Sequence, residues 1–240
     1  MDLPEGFDPR PALLRTASVA VGRVLSRFAL NNIDPGSRSD GAYKLLGLAR
    51  YYDGNFGGAA ADPQVIKATD PLSLAQVRRL MRKVTPSESG YGAGPNALVT
   101  SLRCRDLLIS LERAAGTSPD FRLDPRTNEV RYHLDGVPVY VGPLREDEDT
   151  AGAAPAFKTT GEPYTYNRTS IYALRLGGFS GVRMLHFGGD SAKYGVQIDE
   201  ITPSAGNAAL GYQVHGYYAL FIPERQACAR LWGIDISAEV

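Results

Sequence analysis

Residues 211–222, GYQVHGYYALFI, constrain the fold more than any other stretch of the chain. Side chains alternate across a strand, so Tyr212, Val214, Gly216, Tyr218, Leu220 and Ile222 fall on one face and Gln213, His215 and Tyr217 on the other. This is a long strand with one dry face. Pro223 stops the ladder by removing an N–H, and residues 224–228 turn the chain. Arg230, Trp232, Ile234 and Ile236 then resume the alternation, which predicts a returning strand. Upstream, Val196, Ile198 and Ile201 supply a third strand, set off by a loop over 203–206. The residues alone predict a mixed α/β domain with a C-terminal antiparallel sheet.

The order of these parts is also that of a known family. Thr169-Ser-Ile-Tyr-Ala-Leu-Arg-Leu-Gly177, Gly195-Val-Gln-Ile198, Gly211-Tyr-Gln-Val-His-Gly-Tyr-Tyr-Ala-Leu220, Pro223 and Ala229-Arg-Leu-Trp-Gly-Ile234 resemble the C-terminal half of tailed-bacteriophage major capsid proteins. The resemblance implies an α+β, HK97-like capsid fold. Its parts are a peripheral P domain with spine helix and antiparallel sheet, an axial A domain, an extended E-loop and an N-terminal arm. On this chain they correspond to 1–30 for the arm and its helix, 31–70 for the E-loop, 71–90 and 191–240 for the P domain, and 91–190 for the A domain.

Composition narrows the function classes. A chain of 240 residues and 25.9 kDa can bury a core as one large domain or two small ones. The 26 basic residues balance 26 acidic ones, so attraction of the whole protein to nucleic acid is not indicated and any DNA contact is local. Cys104 and Cys228 lack metal-ligand spacing and read as two buried thiols in a reducing compartment. No apolar run approaches the ~20 residues that span a bilayer. The first six residues, MDLPEG, lack the basic start and apolar core of a signal peptide, so the expectation is an intracellular, soluble protein.

Taken in order, residues 1–11 carry three prolines and predict an extended arm. Over 12–28, Leu14, Ala17, Val21, Val24, Leu25 and Phe28 recur at helical spacing, with Arg15, Arg23 and Arg27 elsewhere on the helix. Such a helix can lie on a membrane or face DNA, but docking on its own or a neighbouring subunit is the preferred reading. Residues 31–70 are punctuated by Asn31-Asn32, Asp34-Pro-Gly36, Asp40-Gly41, Asp53-Gly54-Asn55 and Gly57-Gly58, with short apolar pieces between. The resemblance makes this stretch an arm reaching over an adjacent subunit, with Arg38, Lys44, Arg50, Tyr51 and Lys67 as inter-subunit contacts. Ser73-Leu-Ala-Gln76 is a capping box that opens a helix with the stripe Leu74, Val77, Leu80, Met81 and Val84, ended by Pro86. Arg78, Arg79, Arg82 and Lys83 share its other side, and by resemblance it is the spine helix. Arg15, Arg23, Arg27, Arg78 and Arg82 are therefore the candidate DNA-facing residues, although pairing with neighbouring carboxylates or solvent is the commoner fate of such runs.

Ala97-Leu-Val-Thr100 reads as a short strand and Cys104, Leu107, Leu108, Leu111 and Ala115 as a helical stripe closed by Gly116 at C′. Residues 129–134 and 137–141 alternate on either side of Asp135-Gly136, a hairpin with a type I′ turn. Residues 145–163 read as a polar loop, and 170–176 and 181–187 as strands around a Gly177-Gly178 turn.

Catalytic signatures are weak. His133, His186 and His215 each stand alone in strand patterns without a second ligand at a known spacing. The acidic run 146–149 lacks the spaced ligands of a calcium loop. Gly90-Tyr-Gly-Ala-Gly94 lacks the Lys-Ser/Thr of a P-loop, and Gly178-Phe-Ser-Gly181 falls short of a nucleophile elbow. The reading is a non-enzymatic protein without a cofactor. An isopeptide crosslink from Lys44 or Lys67 is a capsid-specific possibility that is not expected here.

The resemblance thus implies a major capsid protein, assembling as hexamers and pentamers into an icosahedral head around double-stranded DNA. Scaffolding, portal and decoration proteins are its implied partners, the virion its location and the host cytoplasm its place of synthesis. The alternative on the same fold is an encapsulin-type nanocompartment shell that encloses cargo enzymes. A small-molecule-binding α/β enzyme is the remote alternative.

Overall fold

Two sheets organise the computed structural model, which describes residues 10–31, 47–52, 63–84, 94–124, 128–144, 167–178, 180–187, 196–201 and 211–237. The helices are α1 (Arg10–Asn31), α2 (Leu48–Tyr51), α3 (Leu74–Lys83) and α4 (Leu102–Ala114). The strands are β1 (Val65–Lys67), β2 (Ala97–Thr100), β3 (Asp120–Asp124), β4 (Glu129–Leu134), β5 (Val137–Val141), β6 (Arg168–Leu174), β7 (Arg183–Phe187), β8 (Val196–Ile201), β9 (Gly211–Phe221) and β10 (Cys228–Asp235). A seven-stranded sheet runs in the order β1-β10-β6-β2-β5-β4-β3, and a three-stranded sheet in the order β7-β9-β8.

Local chemistry explains the element ends. At the start of α3, the Ser73 side chain accepts from the Gln76 backbone N–H while the Gln76 side chain accepts from the Ser73 N–H, a complete capping box. Gly116, at φ 75°, ends α4: its N–H donates to the Arg113 carbonyl and that of Thr117 to the Glu112 carbonyl, a Schellman closure. Asp135 and Gly136 take φ 49° and 81° between β4 and β5, the type I′ geometry the hairpin requires.

The C-terminal strands differ from the expected arrangement. β9 pairs antiparallel with β7 and β8, whereas β10 does not return beside it. After a 3-10 turn at Arg225–Ala227, β10 enters the large sheet between β1 and β6, parallel to the first and antiparallel to the second. The physical reason is burial. Its residues 228–231, Gly233 and Ile234 are all buried, so both faces need cover, which the core clusters on the two sides of the large sheet supply. Nor is its alternation unbroken. A register shift between Leu231 and Ile234, with Gly233 at φ 74°, puts Ala229, Leu231, Ile234 and Ile236 in one core cluster and Cys228 in the other. Arg230 and Trp232 therefore do not share a face with Ile234 and Ile236.

Those clusters lie on the two faces of the large sheet. On one side Val77, Leu80 and Val84 from the α3 segment and Cys104 and Leu108 of α4 meet Leu98, Tyr132, Leu134, Val139, Ile171 and Leu231. On the other, Leu30 of α1, Leu48 and Tyr52 meet Tyr172, Leu174, Val182 and Cys228. Among the described side chains of α1, Leu30 in the last turn reaches this core: Val24, on the apolar stripe, is 52% exposed, whereas Leu30 sits so close to Gly142 that a Cβ there would lie 2.8 Å from Leu30 Cδ1. Both cysteines are buried thiols.

Strands from three of the four expected segments share this sheet. Within 31–70, the described parts belong to the body: Leu48, Ala49 and Tyr52 are buried and β1 is a strand of the large sheet. Residues 32–46 and 53–62, where most of the expected arm falls, lie outside the described residues. So do the acidic run 146–149 and most of the 87–95 glycine loop.

Candidate functional site

The sequence-selected residues do not converge on one centre. Arg38 and Lys44 lie outside the described residues, as do the side chains of Arg15 and Arg50, although Arg15 is on α1 and Arg50 on α2. Arg23 and Arg27 are exposed, one turn apart on α1. The Lys67 ammonium stands 5.2 Å from the Trp232 ring centroid, a cation–π contact within the chain. Tyr51 is half-buried, and its carbonyl accepts from Arg225. Tyr51 and Lys67 thus each have a partner within the chain.

Arg78 has an ion-pair partner within the chain. Its Nε donates to Asp135 Oδ2 at 2.7 Å and its Nη2 to Asp135 Oδ1 at 3.1 Å, pinning α3 to the β4–β5 turn. Arg82, one turn on, is exposed. Arg78, Arg82, Met81, Asp135 and Val137 line an open pocket of about 580 Å³. The hydrogen bond from Arg78, reinforced by its charge, holds the Asp135 carboxyl below the usual carboxylate range. A depressed carboxyl contributes stability above its unfolded value and loses it as pH falls through the folded one. Replacing Arg78 by Met is therefore expected to lower the urea midpoint slightly at neutral pH, and to leave it unchanged in acid where wild type has lost the pair. A deficit persisting in acid would assign the side chain a packing role.

A second, smaller pocket of about 240 Å³ is lined by Tyr51, Tyr52, Leu220, Phe221, Ile222 and Arg225. Arg225 stands over the Tyr52 ring at 5.5 Å, and Tyr52 donates its hydroxyl to the Arg225 carbonyl at 2.8 Å.

The buried polar groups are structural ties. Arg230 donates from Nε to Ser170 Oγ at 3.0 Å and from Nη1 to the Tyr52 carbonyl at 3.1 Å, joining α2 to β10 and β6. Arg175 donates to Glu224 at 2.8 Å and to the Ser180 carbonyl at 3.1 Å, fixing the turn before β10. Tyr132 donates to buried Glu112 at 2.9 Å; burial first, then this carboxylate, pushes the phenol well above its ordinary value. Sequence reasoning missed Glu112 and Arg230 because charged types are expected outside.

No described group of three or more His, Cys, Asp or Glu could hold a metal ion, and no described helix is long and apolar enough to cross a membrane. His133 Nδ1 lies 3.0 Å from the Arg131 carbonyl, a local contact; the side chains of His186 and His215 lie outside the described residues.

What the surface does offer is apolar area. Phe121, Leu123 and Val130 of the β3–β4 hairpin are 50%, 59% and 69% exposed, and Met184, Leu185 and Phe221 of the small sheet are also exposed.

No protein-family model matches the chain, and no curated protein does. Among solved structures, the holo-SrpI encapsulin complex from Synechococcus elongatus PCC 7942, determined by electron cryomicroscopy, is similar with a TM-score of 0.66 at 16% identity. The similarity covers 99% of this chain and 70% of that one. The chain is thus a mixed α/β protein whose fold is similar to the HK97-like fold of an encapsulin shell.

Proposed function

We propose that the chain is the structural subunit of a self-assembling protein shell of encapsulin type, and not an enzyme. The observation that carries this reading is the likeness to an encapsulin subunit over nearly the whole chain. Exposed Val19 and Val24 of α1 and the exposed hairpin side chains support it, because assembly gives such surfaces cover. Balanced charge also suits a protein that meets many copies of itself.

The viral-head reading shares the fold but has less behind it. The match is to an encapsulin, and it lends no support to scaffolding, portal or decoration proteins or to packaged DNA. Of the basic residues nominated to face DNA, Arg78 is already held by Asp135. An encapsulin-type shell would assemble in the cytoplasm, where two buried thiols stay reduced.

Expression of the chain, followed by size-exclusion chromatography, negative-stain electron microscopy and nucleic-acid assay of nuclease-treated particles, tests the reading. Closed particles without protected DNA are expected. Nuclease-protected double-stranded DNA would instead favour the viral head. A chain that stays monomeric at high concentration and turns over a small molecule would overturn both.

A further inference from the structure

We propose that β3 is a self-pairing edge: two copies of the chain join their β3 strands antiparallel about a two-fold axis through Phe121, making one sheet continuous across two subunits. The inference deepens the shell reading by naming a surface on which one subunit meets another.

Position is the first ground. β3 ends the order of the seven-stranded sheet, and among the described residues no strand lies on its outer side. Its outward N–H and C=O groups form a ladder ready for a further strand. Side-chain placement is the second. Phe121 stands opposite Tyr132 and Leu123 opposite Val130, so these four share one face of the hairpin. Tyr132 is covered at 2% exposure, with Phe121 against it at 5.8 Å between ring centroids, but Phe121, Leu123 and Val130 are left half or more exposed. The opposite face is charged on both signs: Arg122 pairs with Asp120, and Arg131 with Asp124 and Glu129.

Charge decides the occupant. β3 reads Asp-Phe-Arg-Leu-Asp, the same charge pattern in both directions. An antiparallel pair centred on Arg122 would set arginine against arginine and Asp120 against Asp124. Centring on Phe121 instead sets Asp120 of each copy opposite Arg122 of the other and stacks Phe121 on its own mate, with apolar opposite apolar and acid opposite base. The axis through Leu123 also alternates the signs, but it draws on Asp124, already held 2.5 Å from Arg131 and only 19% exposed. Asp120 and Arg122, by contrast, are 40% and 59% exposed, free to exchange their mutual pair for two across the axis. A second copy of this strand is therefore the partner whose charges fit without any further sequence.

Phe121→Cys, Leu123→Cys and Arg122→Cys in the full chain, each mildly oxidised and run on a non-reducing gel, test the register. Cys104 and Cys228 are 0% exposed and give little background in the folded protein. A disulfide-linked dimer from Phe121→Cys alone is expected, because only that residue faces itself across the axis. A dimer from either other variant in its place would overturn the register. Closed particles with no dimer from Phe121→Cys would overturn β3 pairing and leave the shell reading intact, whereas a monomeric wild type would overturn both. Charge gives an independent check at an exposed site: Arg122→Glu is expected to lower the dimer yield about tenfold, and Asp120→Arg combined with Arg122→Asp to restore it. Failure of that exchange to restore dimers would also overturn the proposal.

Discussion

Arg230→Ala is expected to lower the free energy of unfolding by about 3–5 kcal/mol. Arg230 is 3% exposed in the middle of β10. Its guanidinium serves the Ser170 hydroxyl and the Tyr52 carbonyl and stands 5.7 Å from the Tyr172 ring. Alanine would leave that carbonyl without its donor and open a cavity between α2 and the sheet. Arg230→Met keeps most of the volume while still removing the hydrogen bonds, so it is expected to fall between alanine and wild type. Urea denaturation of the three proteins measures the order. A loss from Arg230→Ala below about 1 kcal/mol would show that α2 holds without this tie.

Leu231→Ala, one residue along, is expected to cost about 3–5 kcal/mol through the apolar core. Leu231 is 0% exposed, with Ile66 of β1 on one side and Ile171 of β6 on the other. Truncation there removes contacts to both neighbouring strands at once, and the packed sheet has little room to collapse into the gap. Val130→Ser is the matched control. Val130 is 69% exposed, so its monomer stability is expected to move by less than about 0.5 kcal/mol. Equal losses at the two sites would mean that the hairpin face is covered within the subunit.

Signals confined to a few neighbouring residues were legible in the sequence. Ser73 and Gln76 form the capping box their spacing predicts, and Asp135-Gly136 makes the turn its chemistry demands. Both depend on groups within four positions of each other. Pairing between distant strands was not legible: alternation identified β9 and β10 but cannot say which strand lies beside which. The bulge at Gly233 further hid the division of β10 between two core faces, since a strict period of two places Arg230 and Ile234 together. β3 escaped notice because two apolar residues among three charged ones make too short a run to stand out. For the candidate surfaces, Arg78 was found by its helix face, but its partner Asp135 lies 57 positions away and was visible only as a turn residue. The shell resemblance came from the order of strands and turns, and the structure is similar in fold to an encapsulin over 99% of the chain.

The insertion of β10 between β1 and β6 orders events during synthesis. A ribosome that has translated as far as β9 has produced neither of the ladders that β10 makes, and β1 has no neighbour in its sheet. Completion of the large sheet waits until residues through Asp235 have cleared the exit tunnel. Nascent chains crowded on one messenger therefore hold their unfinished sheets open beside one another, with the edges of β1 and β6 bare until β10 arrives.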